Sequence, residues 1–195
     1  EKRAAERHAR EQAAIEKERE TGKKTKGKQS KAGPQAKDQV NLTDEESRIM
    51  PTSGGGFEQA YNVQAGVDTA SNLIVSAHVT QQPNDKQELA PTLENLAALP
   101  EELGTTTELI ADSGYFSEAN VRACEDNKIT PYIAPGRQQH NEPLWERFTE
   151  PPPPPDNADC VTRMRHRLKT KQGKEVYARR KVTSEPVFGI IKAVM

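Results

Sequence analysis

The stretch Glu108-Leu109-Ile110-Ala111-Asp112-Ser113-Gly114-Tyr115-Phe116-Ser117 predicts a buried strand, then a tight turn, then the start of a helix. The apolar run 109–111 is too short for a helix and favours a covered strand. Asp112 follows this run, so we expect its carboxylate at the carboxyl end of the strand, where open α/β sheets hold their ligands. Ser113-Gly114 is a turn signal, and Ser117 is expected to cap the next helix. An isolated aspartate in this position is also typical of a plain turn or cap residue.

A second stretch, residues 177–192, reads Tyr-Ala-Arg-Arg-Lys-Val-Thr-Ser-Glu-Pro-Val-Phe-Gly-Ile-Ile-Lys and predicts another helix. Pro186 suits a first helical turn because its missing N–H costs nothing there. On a helix that begins at Glu185, one apolar stripe is expected to pack into a core, formed by Val187, Ile190, Ile191 and Val194. Gly189 and Lys192 share the opposite face with Glu185. The pattern therefore predicts that this glutamate heads an anchored helix and is surrounded by positive charge.

The two stretches together resemble the DDE transposases of bacterial insertion sequences. The words that carry the resemblance are Ala-Asp-Ser-Gly-Tyr at residues 111–115 and a stretch similar to the family's Tyr–Arg–Glu–Lys signature at residues 177–192. Six residues separate Glu185 from Lys192, as that signature requires, whereas four separate Arg180 from Glu185 where the common pattern has three. Further matching words lie at residues 41–50, 56–65 and 84–87, so the resemblance covers about residues 37–195.

The resemblance implies a ribonuclease-H-like α/β fold, a mixed sheet with flanking helices. In that fold catalytic acids lie on the first strand, the fourth strand and a later helix. By resemblance Asp112 and Glu185 are the second and third of these acids, and both serve as ligands for Mg²⁺ or Mn²⁺. Phosphoryl transfer at a DNA backbone needs charge stabilisation at the attacking and leaving oxygens, which two divalent cations about 4 Å apart supply. Carboxylate oxygens suit those hard cations.

The resemblance also implies DNA as the partner, both the insertion-sequence ends and the target. The residues carried over as DNA contacts are Tyr115, Arg179, Arg180, Lys181 and Lys192. Tyr115 is further expected to pack or hydrogen-bond beside the acidic site. The resemblance leaves room for a homodimer of the full-length protein and gives no role to a membrane.

The first catalytic acid is not found by this matching, and we expect it on a strand before Glu1. The chain begins without Met and stops within the apolar face of a helix, which we interpret as a fragment that is inactive alone. Asp44 and Asp68 are the other candidates for the first acid. Asp68 is equally explained as a turn residue, and Asp44 as a helix cap.

Between these motifs, the sequence predicts a mixed α/β domain. Alternating apolar and polar residues over 57–80 predict a hairpin. A helix follows, which either starts at Asp85 and kinks at Pro91 or starts at Pro91 itself. The strand that leads to Asp112, a helix that buries Val121 and Cys124, and a short strand at 129–133 complete the order. This order suits a mixed sheet with helices on its faces.

The ends and insertions of the chain differ in composition from that body. Residues 1–36 are predicted to form a charged helix and a basic linker, and residues 37–195 a partial catalytic domain with a Pro-rich insertion at about 134–160. The linker lysines either solvate a flexible tether or contact a nucleic-acid backbone without sequence choice. Trp145 and Phe148 are expected to pin the insertion onto the body. The five prolines at 151–155 favour an extended spacer.

Composition limits the classes of protein that fit. The chain is 33% hydrophobic and 29% charged, with a mean hydropathy of −0.90 and a net charge of −1, so a nucleic-acid partner must be recognised by local basic patches. Cys124 and Cys160 are isolated and indicate a reducing cytoplasm without a zinc site. No apolar run is long enough for a membrane span or a signal peptide. We therefore expect a cytoplasmic bacterial protein, associated with the nucleoid when bound to DNA.

Three functions are compatible with these residues. The first is metal-dependent DNA strand cleavage and strand transfer at insertion-sequence ends. The second is a non-catalytic transposase remnant that only binds nucleic acid. A ribonuclease-H-like nuclease of another kind would share the carboxylates, but the spacing from Glu185 to Lys192 favours the transposase.

Overall fold

The computed structural model describes residues 41–52, 54–136 and 149–194, together with scattered positions between Ala5 and Arg19. The chain divides into two compact units, Glu1–Glu46 and Ser47–Met195. In the first unit, the described positions before residue 20 are helical. The basic linker predicted at residues 22–31 and the anchoring residues Trp145 and Phe148 lie outside the described residues.

Three two-stranded sheets occur in the described part of the second unit. β1 (Arg48–Pro51) pairs antiparallel with β2 (Phe57–Ala60), and β3 (Asn62–Val67) pairs antiparallel with β4 (Ile74–Thr80). β5 (Glu108–Ala111) and β6 (Thr130–Ile133) are parallel. The helices are α1 (Leu89–Ala97), α2 (Glu118–Asp126), α3 (Cys160–Lys169), α4 (Lys171–Ala178) and α5 (Ser184–Val194). The predicted mixed α/β class and the predicted order from hairpin to final strand are both confirmed.

The β3–β4 hairpin buries its polar face. Gln64 and Ser76 are only 4% and 6% exposed, whereas Val63 and Val79 on the other face are 57% and 64% exposed. Helix α1 packs against this hairpin and brings a buried carboxylate, Glu88, to it. His78 and Thr80 on the covered face hydrogen-bond to Glu88, whereas the Ser76 hydroxyl is buried without a partner among the described residues.

The observed start of helix α1 lies between the two predicted starts, Asp85 and Pro91. It begins at Leu89, so Pro91 falls in its first turn, where a missing N–H is tolerated. A separate 3-10 turn, Asp85–Gln87, precedes it and is capped by the side chain of Asn84. The helix presents Leu89 and Leu93, both buried, to the core.

The parallel strands lie between two apolar clusters. The first cluster contains Leu89, Leu93, Leu109, Cys124, Ile129 and Ile133. The second contains Val121, Tyr132, Ala134, Met164, Leu168 and Val176. Ser117 caps α2 as predicted, since its hydroxyl accepts the Asn120 N–H at 3.1 Å. The Cys124 side chain is fully buried, and burial raises the pKa of its thiol to about 11.

Helices α3 and α4 complete the second cluster and form a tight corner. The side chain of Asp159 caps α3, and the side chain of Thr170 caps α4. A Cβ added at Gly173 would lie 1.8 Å from the carbonyl oxygen of Arg167, so only glycine fits where the two helices meet. The prolines at 151–155 lead into this corner without helix or strand, as an extended spacer would.

Helix α5 departs from the expectation of an anchored apolar stripe. The helix forms where predicted, with Glu185 in its first turn, but none of its described residues is buried. Ile190 and Val194 are 65% and 81% exposed, so the prediction that this stripe packs into a core is wrong for the described residues. The helix instead presents the side with Glu185, Gly189 and Lys192 to a cleft. None of the described helices combines the length and the apolar composition that a membrane span requires.

Candidate active site

A cleft of about 790 Å³ lies between the edges of β3 and β5. Each of these strands pairs with another strand on one edge only, within the described residues. Consecutive residues of both strands line the cleft, as expected where strand edges face it. Helices α1 and α5 complete its walls. Backbone N–H and C=O groups on such unpaired edges are available for hydrogen bonding.

Asp112 lies at this cleft, at the carboxyl end of β5. Its Oδ1 accepts the N–H of Gly114 at 2.7 Å, so Asp112 caps the 3-10 turn Ser113–Tyr115. The side chain is exposed. Because an ionised carboxylate offers about four acceptor positions, one capping bond leaves it able to bind a cation or another donor. The capping role and the candidate catalytic role are therefore compatible.

Glu185 lines the same cleft from the first turn of α5. Its Oε1 lies 3.5 Å from Nη2 of Arg180, and its side chain is 54% exposed. Arg180 in turn stacks over the ring of Tyr177 at 5.7 Å. Such an exposed ion pair contributes at most about 1 kcal/mol to stability, so Glu185 is free to exchange its partner. The structure thus brings both sequence-predicted acids to one cleft.

The predicted DNA contacts occupy this region unevenly. Arg179, Arg180 and Lys192 line the cleft together with the two acids. Lys181 is exposed in the short 3-10 turn Arg179–Val182 and is not part of the cleft wall. Tyr115 also lines the cleft, but its hydroxyl donates to Gln64, which agrees with the expectation that it hydrogen-bonds beside the site. DNA contact by these five residues stays a prediction.

The alternative first acids have local hydrogen-bonding roles, and Asp68 also lines the same cleft as Asp112 and Glu185. Oδ2 of Asp68 accepts the N–H and the hydroxyl of Ser71 at 2.7 and 2.6 Å, and these bonds lower the pKa of its carboxyl group. Asp44 accepts the N–H of Glu46 at 3.0 Å and belongs to the first unit. Within the part of the chain that the structure describes, no three His, Cys, Asp or Glu side chains form a group that could hold a metal ion.

Asp85 lies next to the Asp112 turn, a neighbourhood that the sequence did not predict. A Cβ added at Gly114 would lie 3.0 Å from Oδ1 of Asp112 and 3.1 Å from Oδ2 of Asp85. The two carboxylates therefore bracket one glycine, although they are far apart in the sequence. The available signal is the acid in the Asn84-Asp85-Lys86-Gln87 motif, whose pattern predicts no more than a helix start.

Comparison with known protein families identifies the family of the chain. A family model described as the transposase DDE domain matches residues 19–195, which is most of the chain. Searches of curated proteins and of solved structures found no match. The chain therefore belongs to the family of transposase DDE domains.

Proposed function

We propose that this chain is part of a DNA transposase that cuts DNA strands at insertion-sequence ends and joins them to target DNA. The observation that carries the proposal is the placement of Asp112 and Glu185 in one cleft with Arg179, Arg180 and Lys192. Carboxylates that can bind divalent cations, close to Arg and Lys side chains that can bind phosphates, suit phosphoryl transfer at a DNA backbone. By the same proposal, the protein acts in the bacterial cytoplasm, at the nucleoid when bound to DNA.

The donor set of the cleft suits Mg²⁺ or Mn²⁺. Asp112 and Glu185 offer carboxylate oxygens, the ligands that these hard cations prefer, and no thiolate or imidazole among the described cleft residues competes with them. We assign both carboxylates as ligands. A bound divalent cation would stabilise negative charge on the attacking and leaving oxygens of the phosphate.

The basic side chains at the cleft would position the DNA. Arg179, Arg180, Lys181 and Lys192 are on or beside the cleft, and neutralising phosphates with such residues gives affinity that falls as salt rises. Arg180 lies 3.5 Å from Glu185. Exchange of this partner for a phosphate would release Glu185 for a cation, so DNA binding and cation binding would support each other.

The open cleft supports a ribonuclease-H-like arrangement. In this proposal β3 and β4 are the second and third strands, β5 is the fourth, and a further strand that carries the first acid lies in the cleft. Both flanking edges, on β3 and β5, are unpaired in the described residues and would pair with it. That strand would come from a segment upstream of Glu1. It would supply the third carboxylate beside Asp112 and Glu185.

The domain boundaries also stay proposals. We assign residues 1–36 to a charged helix and basic linker, and residues 37–195 to a partial catalytic domain with a Pro-rich insertion at about 134–160. Amide exchange tests this assignment, because segments that bury little apolar surface should exchange rapidly. Strong protection of residues 1–36 or 150–157 would contradict it.

The decisive experiment is a nicking assay on DNA that carries the element's ends, with Mg²⁺, for the 195-residue chain and for a longer form that continues upstream of Glu1. We expect cleavage only by the longer form. In that form Asp112→Ala and Glu185→Ala should abolish cleavage while DNA binding persists. Asp126→Ala, which removes an exposed aspartate on α2, is the matched control and should cut normally.

A second candidate, a remnant that only binds nucleic acid, is favoured because no three acids among the described residues are grouped closely enough to hold a metal ion. It predicts salt-dependent DNA binding without nicking by either form. Cleavage by the 195-residue chain alone, abolished by Asp68→Ala or Asp44→Ala, would contradict our placement of the first acid instead.

A further inference from the structure

A buried polar network connects the hairpin to the turn that carries Asp112. Gln64, which is 4% exposed, donates from Nε2 to Oδ1 of Asn62 at 2.8 Å and to Oδ1 of Asp85 at 3.0 Å. Asn62 donates to the same Asp85 oxygen at 2.8 Å. The hydroxyl of Tyr115 donates to Oε1 of Gln64. The network thus runs from Asp85 through one amide to the residue that ends the Asp112 turn.

The charge of Asp85 fixes the direction of these bonds. An ionised carboxylate can only accept, so the side chain of Gln64 must turn its NH₂ group toward Asp85. Its carbonyl oxygen then faces Tyr115, whose hydroxyl must donate. All hydrogen-bonding capacity of the Gln64 NH₂ group is used, and a buried group with its partners satisfied is costly to move.

Two further contacts join the turn at Asp85 to the turn at Asp112. The side-chain amide of Asn120 donates to the carbonyl oxygens of Lys86, at 2.9 Å, and Tyr115, at 2.7 Å. Oδ2 of Asp85 lies against Gly114, whose N–H is the donor to Asp112. The position of the Asp112 carboxylate therefore depends on residues 85–86 as well as on its own strand.

We infer that Asp85 is a positioning residue for Asp112, acting through Gln64 and Tyr115 to hold the Ser113–Tyr115 turn. The inference rests on the proposed function for its catalytic meaning, but not for its structural content. Asp85 touches neither DNA nor a cation in this role. It keeps the Asp112 carboxylate at the end of β5, directed by the Gly114 N–H, so that no reorganisation is needed when a ligand arrives.

The electrostatic surroundings of Tyr115 agree with its role as the hydrogen-bond donor to Gln64. Burial raises the pKa of Tyr115 far above its usual value, and the negative charges of Asp85, Asp112 and Glu88 raise it further. Tyr115 therefore keeps its proton and remains a donor to Gln64 at any physiological pH. A tyrosinate there would place a second acceptor against the Gln64 carbonyl and break the chain of bonds.

Amide exchange of Gly114 in the 195-residue chain tests the inference without any need for activity. Loss of the Asp85 acceptor in Asp85→Ala should speed Gly114 exchange by about tenfold, the usual worth of one or two buried hydrogen bonds. Asp85→Asn keeps a carbonyl oxygen for Asn62 and Gln64 and should restore slow exchange. Asp126→Ala is the matched control, and amides of β6 report whether the whole unit has loosened.

Gly114 exchange in Asp85→Ala within about twofold of the wild type would overturn the inference, because the turn would then be held without Asp85. If Asp85→Ala instead speeds β6 amides by the same factor, Tyr115→Phe decides, since it removes one hydroxyl and keeps the ring. Faster Gly114 exchange with unchanged β6 amides in that variant supports the inference, and unchanged Gly114 exchange overturns it. In the double variant Asp85→Ala/Tyr115→Phe, the Gly114 amide should exchange no faster than in either single variant. Additive effects of the two substitutions on this exchange rate would contradict a shared route.

Nicking by the longer form separates this inference from the proposed function. There Asp85→Ala should lower kcat by a larger factor than it raises KM for DNA, because it loosens the Asp112 turn and leaves the Arg and Lys residues of the cleft untouched. A wild-type protein that does not nick, with Gly114 still responding to Asp85→Ala, would contradict the proposed function and leave Asp85 as the residue that positions Asp112.

Discussion

The parallel-strand region and the hairpin region of the second unit bury opposite kinds of surface. Around β5 and β6 most buried side chains are apolar, as at Ile133 and Met164. Beneath the β3–β4 hairpin they are polar, with Gln64 bound to Asp85, and His78 3.0 Å from the buried Glu88. The apolar side of the same hairpin is largely exposed.

This difference in buried surface indicates that the parallel-strand region mainly stabilises the fold and that the hairpin region mainly orients side chains. Apolar packing is non-directional and scales with buried area, so the parallel region should supply most of the folding free energy. Hydrogen bonds contribute less on balance but fix angles and polarity. The polar region also adjoins the candidate active site, where the direction of a carboxylate matters more than its burial. Four substitutions or conditions test this division.

The largest effect is expected for Ile133→Ala, since this side chain is fully buried. Loss of a buried isoleucine side chain costs about 2–5 kcal/mol of unfolding free energy, from transfer and cavity terms together. Val79→Ala on the exposed face of the hairpin should cost no more than about 0.5 kcal/mol. Urea unfolding followed by circular dichroism measures both. Equal losses would break the comparison, because the hairpin face would then be part of a core.

Gly173→Ala should come second. The new Cβ would collide with the backbone oxygen of Arg167, and overpacking against backbone costs about 3 kcal/mol. Gly189→Ala is the matched control, because a Cβ at that helical glycine meets nothing within 4 Å. This control should be neutral or stabilise α5 by about 0.5–1 kcal/mol. Thermal unfolding compares the two, and similar melting temperatures would contradict the close approach of α3 and α4.

Glu88→Ala tests the polar region and should cost about 2 kcal/mol, since it leaves His78 and Thr80 without their shared acceptor. Glu88→Gln should recover part of this loss because its amide oxygen still accepts. Glu94→Ala, an exposed glutamate on α1, is the control. Urea unfolding of the three variants gives the values. A loss below that of the control would show that the buried carboxylate is no more than tolerated.

The smallest effect concerns alkaline pH. The folded state raises the pKa of Tyr115 above the ordinary tyrosine value of 10.0, so it favours the protonated form. This contribution to stability is complete below pH 10.0 and is lost as pH rises above it toward the folded pKa, at no more than about 1.4 kcal/mol per pH unit. Unfolding free energies measured between pH 9 and 11 should fall, and Tyr115→Phe should reduce that slope. An unchanged slope would show that Tyr115 is not held neutral by its surroundings.

Local patterns in the sequence predicted much of the fold. The short apolar run before Asp112, the turn at Ser113-Gly114 and the cap at Ser117 each depend on neighbouring residues, and all three are confirmed. The hairpin followed from strict alternation. Alternation does not say which face is covered, however, and here Glu88 on a different element decides that the polar face is.

The features that the sequence did not predict depend on contacts between distant residues. Asp85 reaches the Asp112 turn only because two 3-10 turns lie side by side, which no spacing encodes. The apolar stripe of α5 has helical spacing, but none of its described residues is buried, so periodicity alone predicted too much burial. Helices α3 and α4 were not predicted, although Met164 and Leu168 have the four-residue spacing of a helix face.

The buried thiol of Cys124 makes this unit report on its own motions. A thiolate is the form that reacts with alkylating reagents, and burial both covers this sulfur and raises the pKa of its thiol to about 11. The folded unit is therefore nearly inert at this position, and labelling proceeds only through states in which α2 has lifted from the sheet. The rate at which an alkylating reagent modifies Cys124 therefore measures how often the parallel-strand core opens.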